Sequence, residues 1–175
     1  TGKASKDLEV RIVDEKNSPL APGEKGEIVV RGYAVMDGYL DDDEATSAAI
    51  DHEGWLHTGD LGTCDEKGYF KILGRIKDMI IVGGFNVYPA EVEDIMREHP
   101  SIRDVALIGV PDDRLGEVGC AFVILREEIH PEALHRWCRE NMANFKVPRY
   151  FEILDSFPLT GSNKISKLEL RQIAT

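Results

Sequence analysis

Cysteine is scarce in this 175-residue chain. Cys64, Cys120 and Cys138 are odd in number, widely separated and form no Cys-x-x-Cys pair, so neither a disulfide framework nor a zinc cage is indicated, and no metal ligands are assigned. The three read as reduced thiols that behave as small buried hydrophobes. Positive charge is also in deficit, with 21 Lys and Arg against 32 Asp and Glu for a formal net charge of −11. Because no Lys/Arg-rich run interrupts it, so acidic a surface repels phosphate backbones and argues against a nucleic-acid partner. The longest apolar runs, such as Met79-Ile80-Ile81-Val82, fall far short of the ~20 residues of a membrane helix. No signal-like series opens the chain, and the expected location is cytoplasmic with no integral membrane segment. Internal repeats and low-complexity linkers are missing too. What is present, 42% hydrophobic and 30% charged residues, suffices for a core at a length of one domain or two small ones.

The first 75 residues read as short strands separated by turns. Leu8, Val10 and Ile12 alternate with charged residues through Asp14, the period-2 mark of a half-buried strand. Pro19, Pro22, Gly23 and Gly26 punctuate the stretch before a second strand at Glu27-Ile28-Val29-Val30-Arg31, and Gly68 to Gly74 is a third. Asp41-Asp42-Asp43-Glu44 precedes Ala45 to Ile50 and suits the positive N-terminal end of a short helix. From about residue 78 strands and helices alternate. Pro89 and Pro131 each open a helix with one apolar stripe. Val105 to Val110 and Cys120 to Leu125 are near-continuous strand-like runs, and a strand at Tyr150 to Leu154 and a helix at Lys167 to Ile173 close the chain. The expected class is α+β, with a β-rich part over residues 1–75 and a compact α+β part over residues 76–175.

Three segments place polar residues in glycine-rich settings. Gly54-Trp55-Leu56-His57-Thr58-Gly59-Asp60-Leu61-Gly62 reads as a glycine-flanked turn presenting Asp60, an acceptor that can take two hydrogen bonds at once, as a vicinal diol offers. Leu73-Gly74-Arg75-Ile76-Lys77-Asp78 runs through a strand into the Gly83-Gly84 turn and the helix at Pro89, and glycine there lets a ligand approach the backbone. Thr160-Gly161-Ser162-Asn163-Lys164 presents a lysine whose ammonium can meet an anion developing in a transition state. Taken singly, each has a plain alternative: an Asp closing its own turn, a surface ion-pair cluster, a solvated lysine.

Together, in this order and spacing, the segments resemble the C-terminal part of the adenylate-forming superfamily: acyl- and aryl-CoA ligases, luciferases and the adenylation domains of peptide synthetases. Gly83-Gly84-Phe85-Asn86-Val87-Tyr88-Pro89-Ala90-Glu91-Val92-Glu93 looks most like the AMP-forming acid–CoA ligases. The resemblance implies that Asp60 binds the ribose hydroxyls of ATP and that Arg75 also contacts the nucleotide. By the same resemblance Lys77 stands at the hinge position, and Lys164 bridges the substrate carboxylate and the α-phosphate. Gly83, Gly84 and Phe85 match the turn that lines the pantetheine passage once a small mobile domain has swung round. One departure is Asn163, where the family usually has glycine; asparagine is the next-best residue at left-handed angles.

The implied substrates are a carboxylic acid, ATP and CoA, with Mg2+ assisting. The superfamily's phosphate loop and its adenine-holding motif are not in these residues, so the chain is expected to be the C-terminal portion of a longer ligase, inactive without a missing N-terminal domain. On this reading residues 1–75 are the β-rich end of the large domain and residues 76–175 the mobile one. An adenylation domain loading a phosphopantetheinyl carrier protein and a non-catalytic binding module stay open as alternatives.

Overall fold

Alternating side chains build the first sheet of the computed structural model, which describes residues 2–174. Strands β1 (Leu8–Val13), β2 (Gly26–Gly32), β3 (Leu56–Cys64) and β4 (Phe70–Arg75) follow one another in chain order, every pair antiparallel. Val13, Val29 and Trp55 make a small buried cluster, and the guanidinium groups of Arg11 and Arg31 lie over the Trp55 ring at 4.3 and 4.5 Å. Helix α1 (Asp43–Ala49) starts where the acidic run predicts. Asp42 caps it by accepting from the Ala45 N–H at 2.8 Å, and Asp43 and Glu44 occupy its first turn.

Strand β3 corrects the sequence reading. The Gly54–Gly62 segment is not a free turn; from Leu56 onward it is a central strand paired on both sides. Its glycines and polar residues hide the period-2 signal because they serve a bulge rather than a smooth pleat.

A second sheet carries the second half. The hairpin β5 (Ile80–Val82) and β6 (Phe85–Val87) joins β8 (Gly116–Leu125), which pairs along its length with β7 (Ile102–Asp112) and in parallel with β9 (Tyr150–Ile153). Strand β6 is absent from the sequence reading, which passes straight from the glycines to the helix; three residues are too few to show a period. Helices α2 (Pro89–Arg97), α3 (Pro131–Asn141) and α4 (Lys167–Ile173) complete it.

Both faces of this sheet are covered, which explains why β7 and β8 read as unbroken apolar runs. Val105, Leu107, Ala121 and Val123 pack with Val92 and Met96 of α2 and Leu134 and Cys138 of α3. Their neighbours Ala106, Ile108, Cys120 and Phe122 pack on the opposite face with Leu170 of α4. Each large side chain so buried contributes about 1.5–3 kcal/mol. The chain divides into two compact units, Thr1–Lys77 and Asp78–Thr175, and the architecture is α+β. Among the described residues no helix is long and apolar enough to cross a membrane.

Candidate functional site

In the first unit the register of β3 and β4 sets Asp60 opposite Arg75, and Arg75 Nε donates to Asp60 Oδ1 at 2.8 Å. The pair is partly exposed, so it adds little stability. Its consequence is geometric: one carboxylate oxygen is held and the other remains available as an acceptor, while the guanidinium keeps further donors. On its other side, toward β2, strand β3 bulges just before Asp60. Gly59 adopts φ +68°, a left-handed angle where a side chain would be strained.

Polar groups brace this bulge. Glu27 Oε1 accepts from the Gly59 N–H at 2.9 Å and Glu27 Oε2 meets His57 Nδ1 at 2.8 Å, while the Thr58 hydroxyl donates to the Ile28 carbonyl at 2.7 Å. Asp51 lies 3.9 Å from His57 Nε2. Burial raises the Asp51 carboxyl, but the Trp55 and Glu53 N–H donors and the nearby histidines outweigh it, leaving the group below its ordinary value. A cavity of about 460 Å3 opens beside these residues, with Glu27, His57, Gly59, Arg75 and Lys77 in its wall. Arg75 and Lys77 therefore face the same space. Glu27, His57 and Thr58 take no part in the sequence reading of this site; His57 and Thr58 are signalled only by their place next to Gly59-Asp60, and Glu27 by nothing local.

The second unit carries the other two segments. Lys164 stands on a short hairpin closed by a Leu159–Ile165 bridge, with the Thr160 N–H donating to the Lys164 carbonyl at 2.7 Å and the Lys164 N–H to Thr160 Oγ1 at 3.2 Å. Asn163 sits at φ +61°, the left-handed position that ends a three-residue loop, which asparagine tolerates better than most residues other than glycine. The loop is held at its far side as well, by Ser166 capping α4. Lys164 is exposed, and among the described residues no carboxylate pairs with its ammonium.

Gly83 and Gly84 form the two-residue turn of the β5–β6 hairpin, at φ +56° and +86°. Both angles positive is the turn whose twist suits a hairpin and which glycine serves best. A Cβ on Gly83 would stand 3.1 Å from Leu115 Cδ2, whereas one on Gly84 would meet nothing within 4 Å: beyond that position lies open backbone. Phe85, next in the chain, is exposed and stacks on Phe145 with centroids 4.8 Å apart. Gly83, Phe85 and Phe145 border a cavity of about 470 Å3 whose rim carries Arg114, Arg139 and Arg149. Arg149 is oriented by Asp112, whose other oxygen accepts from the Leu115 and Arg114 N–H groups at 2.9 and 3.1 Å. An apolar floor with three guanidinium groups suits a phosphorylated ligand with an aromatic or alkyl body.

A family model described as AMP-binding enzyme matches residues 1–40, and one described as AMP-binding enzyme C-terminal domain matches residues 91–164. The chain belongs to the adenylate-forming superfamily of AMP-binding enzymes. The relatives it matches include acyl-CoA ligases and synthetases. It is 48% identical over 174 residues to an indenyl-propanoyl:CoA ligase of Mycobacterium tuberculosis, covering 98% of this chain and 32% of the relative. It is 47% identical over 166 residues to a feruloyl-CoA synthase of Amycolatopsis, covering 94% and 34%. The solved o-succinylbenzoate CoA synthetase of Bacillus subtilis, in complex with ATP and magnesium ion, superposes with a TM-score of 0.86 at 37% identity, covering 98% of this chain and 34% of that one. The chain thus spans about a third of the length of the relatives it matches.

Proposed function

We propose that this chain supplies the nucleotide-gripping and thiol-admitting end of an AMP-forming carboxylic acid–CoA ligase. The reading is carried by Lys164: an exposed ammonium that pairs with no carboxylate among the described residues, on a tightly hydrogen-bonded hairpin, ready to be presented to an anion. A carboxylate oxygen attacks the α-phosphorus of ATP, a P–O bond to pyrophosphate breaks, and an acyl-adenylate forms. Two anions meet in that step, and a lysine held between them offsets their repulsion as charge develops. Asp60 accepts the ribose hydroxyls with the oxygen that Arg75 leaves available, and Arg75 and Lys77 add positive charge to the cavity that opens beside the neighbouring Gly59.

In the second step a thiolate sulfur attacks the acyl carbon and AMP departs. Gly83 and Gly84 offer a side-chain-free passage for the pantetheine arm, and the neighbouring arginine-rimmed cavity receives the phosphorylated nucleotide end of CoA. We assign residues 1–75 to the end of a large adenylation domain and residues 76–175 to a small mobile domain pivoting near Lys77, so that Lys164 and the glycine hairpin act in turn. Magnesium, held with ATP in the B. subtilis relative, would shield phosphate charge when bound. Among the described residues no group of three or more His, Cys, Asp or Glu side chains forms a cage for it; the cations the chain itself brings are Arg75, Lys77 and Lys164. The relatives' names describe CoA thioesters of different acids, which supports free CoA as the acceptor and leaves the acid to residues outside this chain.

The test is Lys164→Ala in the ligase that contains this chain. Acid-dependent pyrophosphate exchange is expected to fall by about 10²–10³, the scale of losing one preorganised electrostatic contact. Thioester formation from supplied acyl-adenylate should persist; an equal loss in both half-reactions overturns the assignment.

A further inference from the structure

The bulge that carries Asp60 is larger than a single inserted residue. Glu27 pairs with Leu61 and Val29 with His57, so Ile28 alone on β2 stands against Thr58, Gly59 and Asp60 on β3. Backbone groups in that gap lose their ladder partners and must be satisfied by side chains. Two residues do this. Thr58 donates its hydroxyl to the Ile28 carbonyl and accepts from the Asp60 N–H at 3.1 Å. Glu27 accepts from the Gly59 N–H with one oxygen and binds the His57 ring with the other. A carboxylate only accepts, so His57 Nδ1 carries the hydrogen in that contact. Both side chains are mostly enclosed, at 20% and 21% exposure.

We infer that Glu27 is a positioning residue for the ribose hydroxyls of the nucleotide: clamped by His57, it fixes the Gly59 amide and so the direction in which Asp60 leaves the strand. This rests on the reading of Asp60 as the ribose acceptor. Arg75 restrains Asp60 from one side only, at a partly exposed contact. The backbone beneath Asp60 is a left-handed glycine with no side chain of its own to pack, and the Glu27 carboxylate is the group that holds it. A diol needs both hydroxyls matched to one carboxylate, so a small rotation of that strand segment spoils recognition before it disturbs the sheet.

The experiment compares kcat/KM for ATP and for 2′-deoxy-ATP in the ligase containing this chain. Glu27→Ala is expected to lower the preference for ATP about tenfold, the order set by a sub-ångström to ångström misplacement, while KM for the acid and for CoA holds. Glu27→Gln should restore the preference, because its carbonyl still accepts from Gly59 and its amide meets the other tautomer of His57. Should Glu27→Ala prove unfolded, Glu27→Asp replaces it: one methylene shorter, it cannot reach both partners and should show the same fall. A side chain that merely stabilises the sheet would slow turnover with both nucleotides in proportion, and an unchanged ratio overturns the inference. Asp60→Asn separates the two levels. If it collapses the ratio while the Glu27 variants do not, only the positioning role falls; if it too leaves the ratio intact, the ribose reading falls with it.

Discussion

Gly84 gives the sharpest way to divide the proposed reaction. Its φ of +86° lies in the left-handed region, yet a Cβ there meets no atom within 4 Å, so substitution strains the backbone without a clash. That strain costs about 1–2 kcal/mol for an ordinary side chain. For a unit of this size each kcal/mol lowers Tm by about 4–8 °C. Gly84→Ala carries the backbone cost alone, whereas Gly84→Trp adds an indole to the open space in front of the hairpin. The two variants should therefore melt alike, roughly 4 to 16 °C below the parent on the same scaling. They should differ in chemistry. In the Gly84→Trp variant, thioester formation from supplied acyl-adenylate is expected to drop about 100-fold, since the sulfur no longer reaches its attack position, while pyrophosphate exchange stays near that of Gly84→Ala. The assays are a thermal melt, isotope exchange into ATP and single-turnover thioester formation. If Gly84→Trp forms thioester as fast as Gly84→Ala, or loses pyrophosphate exchange instead, the hairpin is not the thiol passage.

Three further outcomes concern the cysteines and Asp112. Burial pushes the Cys120 thiol up to about 11, with the Glu152 charge adding to it, and burial alone does the same for Cys138. A raised thiol pKa stabilises the fold fully below the ordinary value of 9.0 and is lost as pH climbs toward 11. Denaturant titrations should show stability falling across that window, by roughly 2 kcal/mol per thiol. At pH 8 a thiol reagent should label Cys64 in the native protein well ahead of the other two; comparable labelling of all three contradicts the packing. At Asp112, donation from the Leu115 N–H, and then from the Arg114 N–H and the Arg149 guanidinium, outweighs burial and holds the carboxyl below 3.8. This contribution is complete above that value and disappears as pH falls below it. Asp112→Asn at neutral pH should free Arg149 and raise KM for CoA severalfold with pyrophosphate exchange unchanged; steady-state kinetics with both half-reactions decides it.

Much of the frame can be read along the chain, because it depends on neighbours. Pro89 and Pro131 start helices wherever they fall at a first helical position, Asp42 caps one from three residues away, and Asn163 occupies the left-handed position that its type tolerates. The apolar runs of β7 and β8 are legible as buried strands because both faces of their sheet are covered. Asp60, Arg75, Lys164 and the glycine pair are legible as residues of chemical interest because each lies in a short segment whose composition is unusual.

What the linear order conceals is everything decided by partners far away. Strand β3 looks like a turn until β2 and β4 close on it, since its glycines and polar side chains break the alternation that would mark it as a strand. Glu27 stands near the start of a short apolar strand, and only the folded sheet brings it to His57 and Gly59, 30 and 32 residues on. The cavity beside Phe85 gathers Arg114, Arg139 and Arg149 from three separate segments. Local propensity is a property of adjacent residues and survives in the sequence; hydrogen bonds that satisfy a bulge, and cations that converge on one cavity, exist only once the backbone has turned back on itself.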